Sequence, residues 1–321
     1  MSMKKKTIQN LIRLFGFLIM IGAFIFIIER LFSLNISQVD FTHMLKPQYF
    51  ILLFVSLLIS ILIVICNAYN WCRILSCFTS FRVSFIATFY VYAKSNLAKY
   101  LPGNIAHYVG RQVFGYSLGI TQEKIVSATI FEIIYMVVAA TLLSFIFMGR
   151  KLFEIASSLL PHIKIVVLIA ILIFILLLIG AIIYFVIKRN TIIKQVLLFL
   201  KAKEFWLTSI LVIILYCCTF IMNGVMLTSI IGLNITLNIS KIGFIIAASI
   251  ISWLIGFITP GVPGGIGVRE SVLILILSPL LPNGIILLAA LLQRIVMILG
   301  DIFAWILSLL INRMHNGHID I

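Results

Sequence analysis

Arg111 and Arg269 each stand nine positions after the proline of a Pro-Gly pair, Pro102-Gly103 in one stretch and Pro260-Gly261 in the other. The first stretch reads Leu101-Pro102-Gly103-Asn104-Ile105-Ala106-His107-Tyr108-Val109-Gly110-Arg111, and the second reads Thr259-Pro260-Gly261-Val262-Pro263-Gly264-Gly265-Ile266-Gly267-Val268-Arg269-Glu270. A helix that restarts after such a break presents unpaired backbone N–H groups and the positive end of its dipole. Phosphate oxygens bind readily there, and a guanidinium adds a bidentate partner. Both stretches interrupt sequence apolar enough to sit in a membrane. Broken backbone is tolerated in lipid only where it packs in protein or lines a cavity, so a matched pair of breaks points to a transport site near the bilayer midplane.

Further charges lie in or beside apolar segments: Lys94, Lys99, Glu132, Glu270, Arg294 and Asp301. An ionised side chain at the centre of a spanning helix costs roughly 2.5 to 3.5 kcal/mol on insertion scales, so these groups must face protein or water. Arg294 and Asp301 are two helical turns apart and share one face. Asp301 is expected to neutralise an Arg or Lys, and Arg294 to meet Glu270, Glu132 or a lipid phosphate. Thr129, Glu132 and Tyr135 recur every third residue as a polar stripe. Lys94 and Lys99 are long enough to snorkel to an interface. Each charge taken singly fits a structural ion pair. The set taken together, with several Arg near two backbone breaks, fits an anion site formed by Arg111, Arg269, Arg294, Asn104, Glu132, Glu270 and Asp301. Its hinges are Pro102, Gly103, Pro260, Gly261, Pro263, Gly264, Gly265 and Gly267.

The composition sets the medium. Of 321 residues, 63% are hydrophobic and 10% charged, and the mean hydropathy is +1.25, which places the chain among integral membrane proteins. At roughly 20 residues per crossing, the apolar runs consume nearly the whole chain and imply one membrane domain over residues 1–321. The net charge of +15 is spread over loops and helix ends, which suits anionic lipid headgroups and not nucleic acid. The five Cys, namely Cys66, Cys72, Cys77, Cys217 and Cys218, have no metal or redox spacing and read as packing residues. No metal or cofactor is implied.

About eight spans follow from the hydropathy. A retained first helix runs from about Leu11 to Ile28, because Lys4, Lys5, Lys6 and Arg13 precede it and no small-residue cleavage site follows. Further spans cover Gln48–Asn70, Ile125–Met148, Ile163–Ile187, Phe205–Ile231, Ile242–Ile258 and Gly284–Ile311. Two broken hairpins occupy about 83–120 and 242–282. The basic loop holding Lys188, Arg189, Lys194, Lys201 and Lys203 and the basic N-terminus both belong in the cytoplasm. Counting spans from them, the tip near Pro102 points outward and the tip near Pro260 inward, an inverted repeat, with both chain termini cytoplasmic.

Other motifs fail on context. Gly115-Tyr116-Ser117-Leu118-Gly119 has the Gly-x-Ser-x-Gly spacing but no preceding strand. Gly265-x-Gly267 leads into Glu270 and not into a third small residue. No Gly-Lys-Ser/Thr phosphate loop is present, which argues against ATP-driven pumping.

The run Pro263-Gly264-Gly265-Ile266-Gly267-Val268-Arg269-Glu270, with Leu292-Gln293-Arg294, Pro102-Gly103-Asn104, Arg111 and Glu132, resembles the lysylphosphatidylglycerol synthase transmembrane family. That family includes the flippase half of the multiple peptide resistance factors. Relatives often follow the counterpart of Glu132 with Arg and a nearby acid, where this chain has Ile133 and Tyr135-Met136. The resemblance implies an all-α polytopic lipid flippase of the cell membrane, with an anionic membrane lipid as substrate and a homo-oligomer or a lipid-modifying enzyme as further partner. Lipid aminoacylation resides in a separate soluble domain of the relatives, so the chain is expected to have no catalytic residue. The alternatives are lysyl transfer to phosphatidylglycerol and a membrane scaffold for a lipid- or glycan-modifying enzyme.

Overall fold

The computed structural model describes residues 46–100, 106–159, 203–259 and 263–316. The expected spans Leu11–Ile28 and Ile163–Ile187, most of the basic loop at 188–203, and Pro102, Gly103, Asn104, Pro260 and Gly261 lie outside the described residues. Every regular element among the described residues is helical.

Five helices are long and apolar enough to cross a membrane. They are α1 (Pro47–Phe78), α4 (Gln122–Leu159), α5 (Lys203–Gly232), α6 (Ile239–Ile258) and α8 (Asn283–Asn316). Each contains one of the expected spans and most extend past it, because α-helical hydrogen bonding continues beyond the apolar run into the interface. Pro47 opens α1 at the position where a missing N–H is harmless. Three further helices are short: α2 (Phe85–Asn96), α3 (Ala106–Gly115) and α7 (Val268–Leu277). At 1.5 Å per residue they measure about 15 to 18 Å, roughly half of a hydrocarbon layer about 30 Å thick. The described residues thus form an α-helical, multi-pass membrane protein in which short helices pack against long ones.

The backbone is described on either side of both Pro-Gly pairs. Helix α2 tightens into a 3-10 turn at Leu97–Tyr100, just ahead of Pro102. Helix α6 stops at Ile258, and Thr259 is extended at φ −71°, ψ 114°, as the ring of the following Pro260 requires. After Pro260 the chain makes a second 3-10 turn, Pro263–Gly265, in which Gly264, Gly265 and then Gly267 have positive φ. That series is open only to glycine without strain.

Packing forms two adjoining apolar cores. One joins α1, α2, α4 and α5 around Trp71, Leu75, Tyr92, Ile125 and Val212. The other joins α5, α6, α7 and α8 around Leu227, Ile245, Leu277 and Ile286. The 3-10 turns of the two hairpins approach each other, and a Cβ added to Gly264 would lie 3.8 Å from the Lys99 carbonyl oxygen. The outer faces of α1 and α5 are apolar and exposed, with Phe50, Phe54, Leu58, Trp206 and Ile210 all more than half accessible, as lipid-facing surface would be.

A cationic cavity between two broken hairpins

A cavity of about 160 Å³ lies where the two hairpins meet the long helices. Helix α2 and its 3-10 turn contribute Tyr92, Asn96, Lys99 and Tyr100, and α3 contributes His107, Tyr108 and Arg111. The second hairpin contributes Trp253, Phe257, Gly264 and Arg269. Ser60 and Asn67 of α1, Tyr216, Thr219 and Asn223 of α5, and Arg294 and Asp301 of α8 add polar and charged wall, and Ile63, Val64, Met136, Phe220 and Met297 apolar wall. A smaller cavity of about 60 Å³ adjoins it through Arg269, Arg294, Asn223 and Trp253 and is also bounded by Glu270 and Gln293.

Three ion pairs neutralise most of the charge around this space. Arg111, on α3, donates from Nη1 to Oε2 of Glu132 on α4. The hydroxyls of Tyr216 and Tyr92 donate to the other carboxylate oxygen at 3.2 and 3.4 Å. Arg111 is 2% and Glu132 0% exposed, and the guanidinium carbon sits 4.0 Å from the Tyr92 ring centre. A buried pair is tolerable only when its remaining lone pairs and protons are also satisfied, and the two tyrosines serve that need.

Asp301 is the second centre. Lys99 Nζ lies 2.6 Å from its Oδ2, Asn96 Nδ2 donates to Oδ1 at 2.8 Å, and the Tyr100 hydroxyl also donates to Oδ2. Asp301 therefore meets a lysine, as its position on α8 requires. Lys99 does not snorkel to an interface: the tight 3-10 turn directs its ammonium inward to Asp301. Lys94 instead lies over the Phe114 ring at 4.3 Å, a cation–π contact.

The third pair is Arg294 Nη2 to Glu270 Oε1 at 2.8 Å. The other oxygen of Glu270 accepts the Gly267 N–H at 2.7 Å. Glu270 thus caps the start of α7 and occupies part of the N–H array that the sequence offers to an anion.

Arg269 is different. Among the described residues no carboxylate pairs with it, and its Nε has no hydrogen-bond partner. Four cations, Lys99, Arg111, Arg269 and Arg294, surround the cavity with three paired carboxylates, Glu132, Glu270 and Asp301. The unbalanced charge resides on Arg269. Its side chain passes between two glycines: a Cβ at Gly256 would fall 2.5 Å from Arg269 Cγ, and one at Gly265 would fall 2.7 Å from Nε. Both contacts are shorter than van der Waals packing allows, so only glycine at these positions leaves Arg269 its present course beside Trp253.

The equal spacing of the two arginines from their prolines does not place them alike. Arg111 is the sixth residue of α3, whereas Arg269 is the second of α7. The glycine-rich 3-10 turn postpones the second helical restart, so Arg269 belongs to a helix N-terminus and Arg111 to a helix interior. Of the polar stripe on α4, Glu132 pairs with Arg111, Tyr135 exchanges a hydrogen bond with Ser209 at 2.6 Å, and Thr129 bonds its own helix. Pro263 lies in the second 3-10 turn. The cysteines are free thiols, and among the described residues no cluster of His, Cys, Asp and Glu is arranged to hold a metal.

Sequence reasoning did not single out Ser60, Asn67, Tyr216, Thr219 or Asn223. A signal was present: 216, 219 and 223, and likewise 60 and 67, repeat at helical spacing in otherwise apolar helices. A polar row on a spanning helix must face protein or water.

No family model matches the chain, and neither a curated protein nor a solved structure matches it.

Proposed function

We propose that the chain is a membrane lipid flippase-like transporter that moves the phosphate-bearing headgroup of an anionic phospho- or glycolipid across the cytoplasmic membrane. The observation that carries this reading is the unpaired guanidinium of Arg269 in a cavity between two broken hairpins. A buried or partly buried cation without a counterion is costly, and a phosphate supplies the missing charge with bidentate geometry. At about 160 Å³ the cavity is smaller than the roughly 300 to 1,000 Å³ of a site for a drug-sized ligand. It suits a headgroup while the acyl tails stay in the bilayer.

In this reading about eight spans include two broken hairpins related as an inverted repeat, with both termini in the cytoplasm. The short α2, α3 and α7 and the approach of the two 3-10 turns support it. Rocking of the two halves about the breaks opens the cavity alternately to each side, as in other inverted-repeat transporters. The Pro-Gly-Gly-x-Gly-x-Arg-Glu element supports membership of the lysylphosphatidylglycerol synthase transmembrane family. The lipid is moved and not chemically altered.

The test is translocation of fluorescent phosphatidylglycerol by the full chain in phosphatidylcholine vesicles, read by a membrane-impermeant quencher. Quenching beyond the outer-leaflet share is expected. Quenching equal to that of protein-free vesicles would refute transport of this lipid class.

A further inference from the structure

The two ends of the cavity differ in chemistry. The end at Arg269 and Arg294 continues into the smaller cavity, whose walls include none of Asn67, His107 and Arg111. At the Arg111 end, Asn67 Oδ1, His107 Nδ1 and Arg111 Nε are buried and lack a hydrogen-bond partner among the described residues. All three residues line the cavity, and His107 is 8% and Arg111 2% exposed. Trp71, whose ring lies against the Arg111 guanidinium, also has an unpartnered Nε1. An unmet buried polar atom costs about 1 to 3 kcal/mol, and folded proteins leave few of them, so the three that line the cavity away from Arg269 mark a place for a ligand.

The donor set says which kind. Asn67 offers an amide oxygen that only accepts, Arg111 an N–H that only donates, and the imidazole nitrogen takes either role according to its tautomer. Phosphate oxygens only accept and an ammonium only donates, so neither meets such a mixture. A hydroxyl does both. The charge balance points the same way, because Glu132, Glu270 and Asp301 are each committed to a protein cation. No carboxylate around the cavity is left for an ammonium group.

Resting on the phosphate site proposed above, we infer that the headgroup is a phosphate ester of a polyol, glycerol or a sugar alcohol, and not of an amino alcohol or an amino-acid ester. The phosphate sits at Arg269 and Arg294, and the hydroxyls reach Asn67, His107 and Arg111. The polyol end sets specificity among anionic lipids, and with all three carboxylates committed to protein cations an ammonium headgroup finds no counterion.

Native mass spectrometry of the detergent-purified full chain tests this with five lipids of identical acyl chains. They are phosphatidylglycerol, phosphatidylinositol, phosphatidic acid, phosphatidylethanolamine and lysylphosphatidylglycerol. One of the two polyol lipids should be retained about tenfold above phosphatidylethanolamine and lysylphosphatidylglycerol, and about threefold or more above phosphatidic acid, as one or two hydrogen bonds would give. Preference for phosphatidylglycerol identifies a glycerol headgroup, and preference for phosphatidylinositol a ring polyol. Asn67→Leu and His107→Phe should each lower the ratio of polyol lipid to phosphatidic acid toward one. Thermal unfolding of each variant checks that it is folded, and the wild-type panel decides the matter even where a variant is not. Equal retention of phosphatidic acid and both polyol lipids would overturn the polyol site while leaving the phosphate site standing. Retention of lysylphosphatidylglycerol or phosphatidylethanolamine at the polyol level would overturn the charge argument. Phosphatidic acid retained no better than phosphatidylethanolamine, and unaffected by Arg269→Ala, would instead remove the phosphate site itself.

Discussion

Lys99 Nζ and Asp301 Oδ2 lie 2.6 Å apart, and this pair fastens the 3-10 turn of the first hairpin to the last long helix. Asn96 and Tyr100 add two more hydrogen bonds to the same carboxylate. The end of α2 and its turn cannot leave α8 without giving up all three contacts, so Asp301 sets the resting position of the hairpin. Asp301→Ala strands the Lys99 ammonium, and removing one member of a buried pair destabilises by about 3 to 5 kcal/mol. Lys99 is 23% exposed, so partial solvation should hold the loss at or below the lower end of that range. Thermal unfolding in detergent should show a clear loss for Asp301→Ala and a smaller one for Asp301→Asn, which keeps an acceptor. Unchanged stability in both variants would show that the turn is held elsewhere.

Arg111 and Glu132 form a buried pair whose members depend on each other. Arg111→Met leaves a fully enclosed carboxylate and Glu132→Leu an enclosed guanidinium, so each single change should destabilise by about 3 to 5 kcal/mol. The double substitution Arg111→Met with Glu132→Leu should recover much of that loss, because exchanging a buried ion pair for apolar groups is often close to neutral. Denaturant unfolding across the four proteins measures the coupling. Additive losses, with no recovery in the double variant, would mean that the two side chains do not act as a pair.

Gly256 stands where the stem of Arg269 must pass. A methyl group there falls 2.5 Å from Arg269 Cγ, so Gly256→Ala should push the guanidinium out of the cavity without altering its charge. Retention of phosphatidic acid should drop about tenfold, the equivalent of about 1.4 kcal/mol, while helix α6 gains intrinsic propensity from the substitution. Undiminished retention in Gly256→Ala would show that the course of Arg269 through the two glycines is unimportant.

How much of this was legible in the sequence differs from residue to residue. The long helices were, because a run of apolar residues has to be helical in lipid. The breaks were, because Pro260 forces Thr259 out of helical geometry wherever the chain goes next. Asp301 was legible in half: its need for a cationic partner follows from burial alone, but choosing Lys99 over an arginine required the 3-10 turn that rotates Lys99 inward. Arg111 shows where sequence spacing ends. Its distance from Pro102 matches that of Arg269 from Pro260, yet the register of the helical restart differs, and only the packing of α3 against α4 reveals that Glu132 already neutralises it. Conversely, the Gly264-Gly265-x-Gly267 run distinguishes the backbone ahead of Arg269 from that ahead of Arg111, but the lack of a carboxylate at Arg269 is a property of the whole fold.

If the tip near Pro102 faces outward and the tip near Pro260 inward, single cysteines at Asn104 and Val262 in a cysteine-free background should react from opposite sides of sealed membrane vesicles. An impermeant maleimide applied from outside is expected to label Asn104→Cys first, and Val262→Cys only after the membrane is opened. Labelling of both from one side would replace the inverted repeat with a parallel one and remove the basis for alternating access.

The central claim is that the unpaired charge of Arg269 holds a lipid phosphate during transport. Its most direct measurement is the rate of fluorescent phosphatidylglycerol translocation by wild type, Arg269→Lys and Arg269→Ala in vesicles, each protein reconstituted at matched density and shown to be folded. Arg269→Ala should translocate at the rate of protein-free vesicles, and Arg269→Lys should keep a part of the wild-type rate, since an ammonium retains the charge but not the bidentate fork. Wild-type translocation in folded Arg269→Ala would contradict the account.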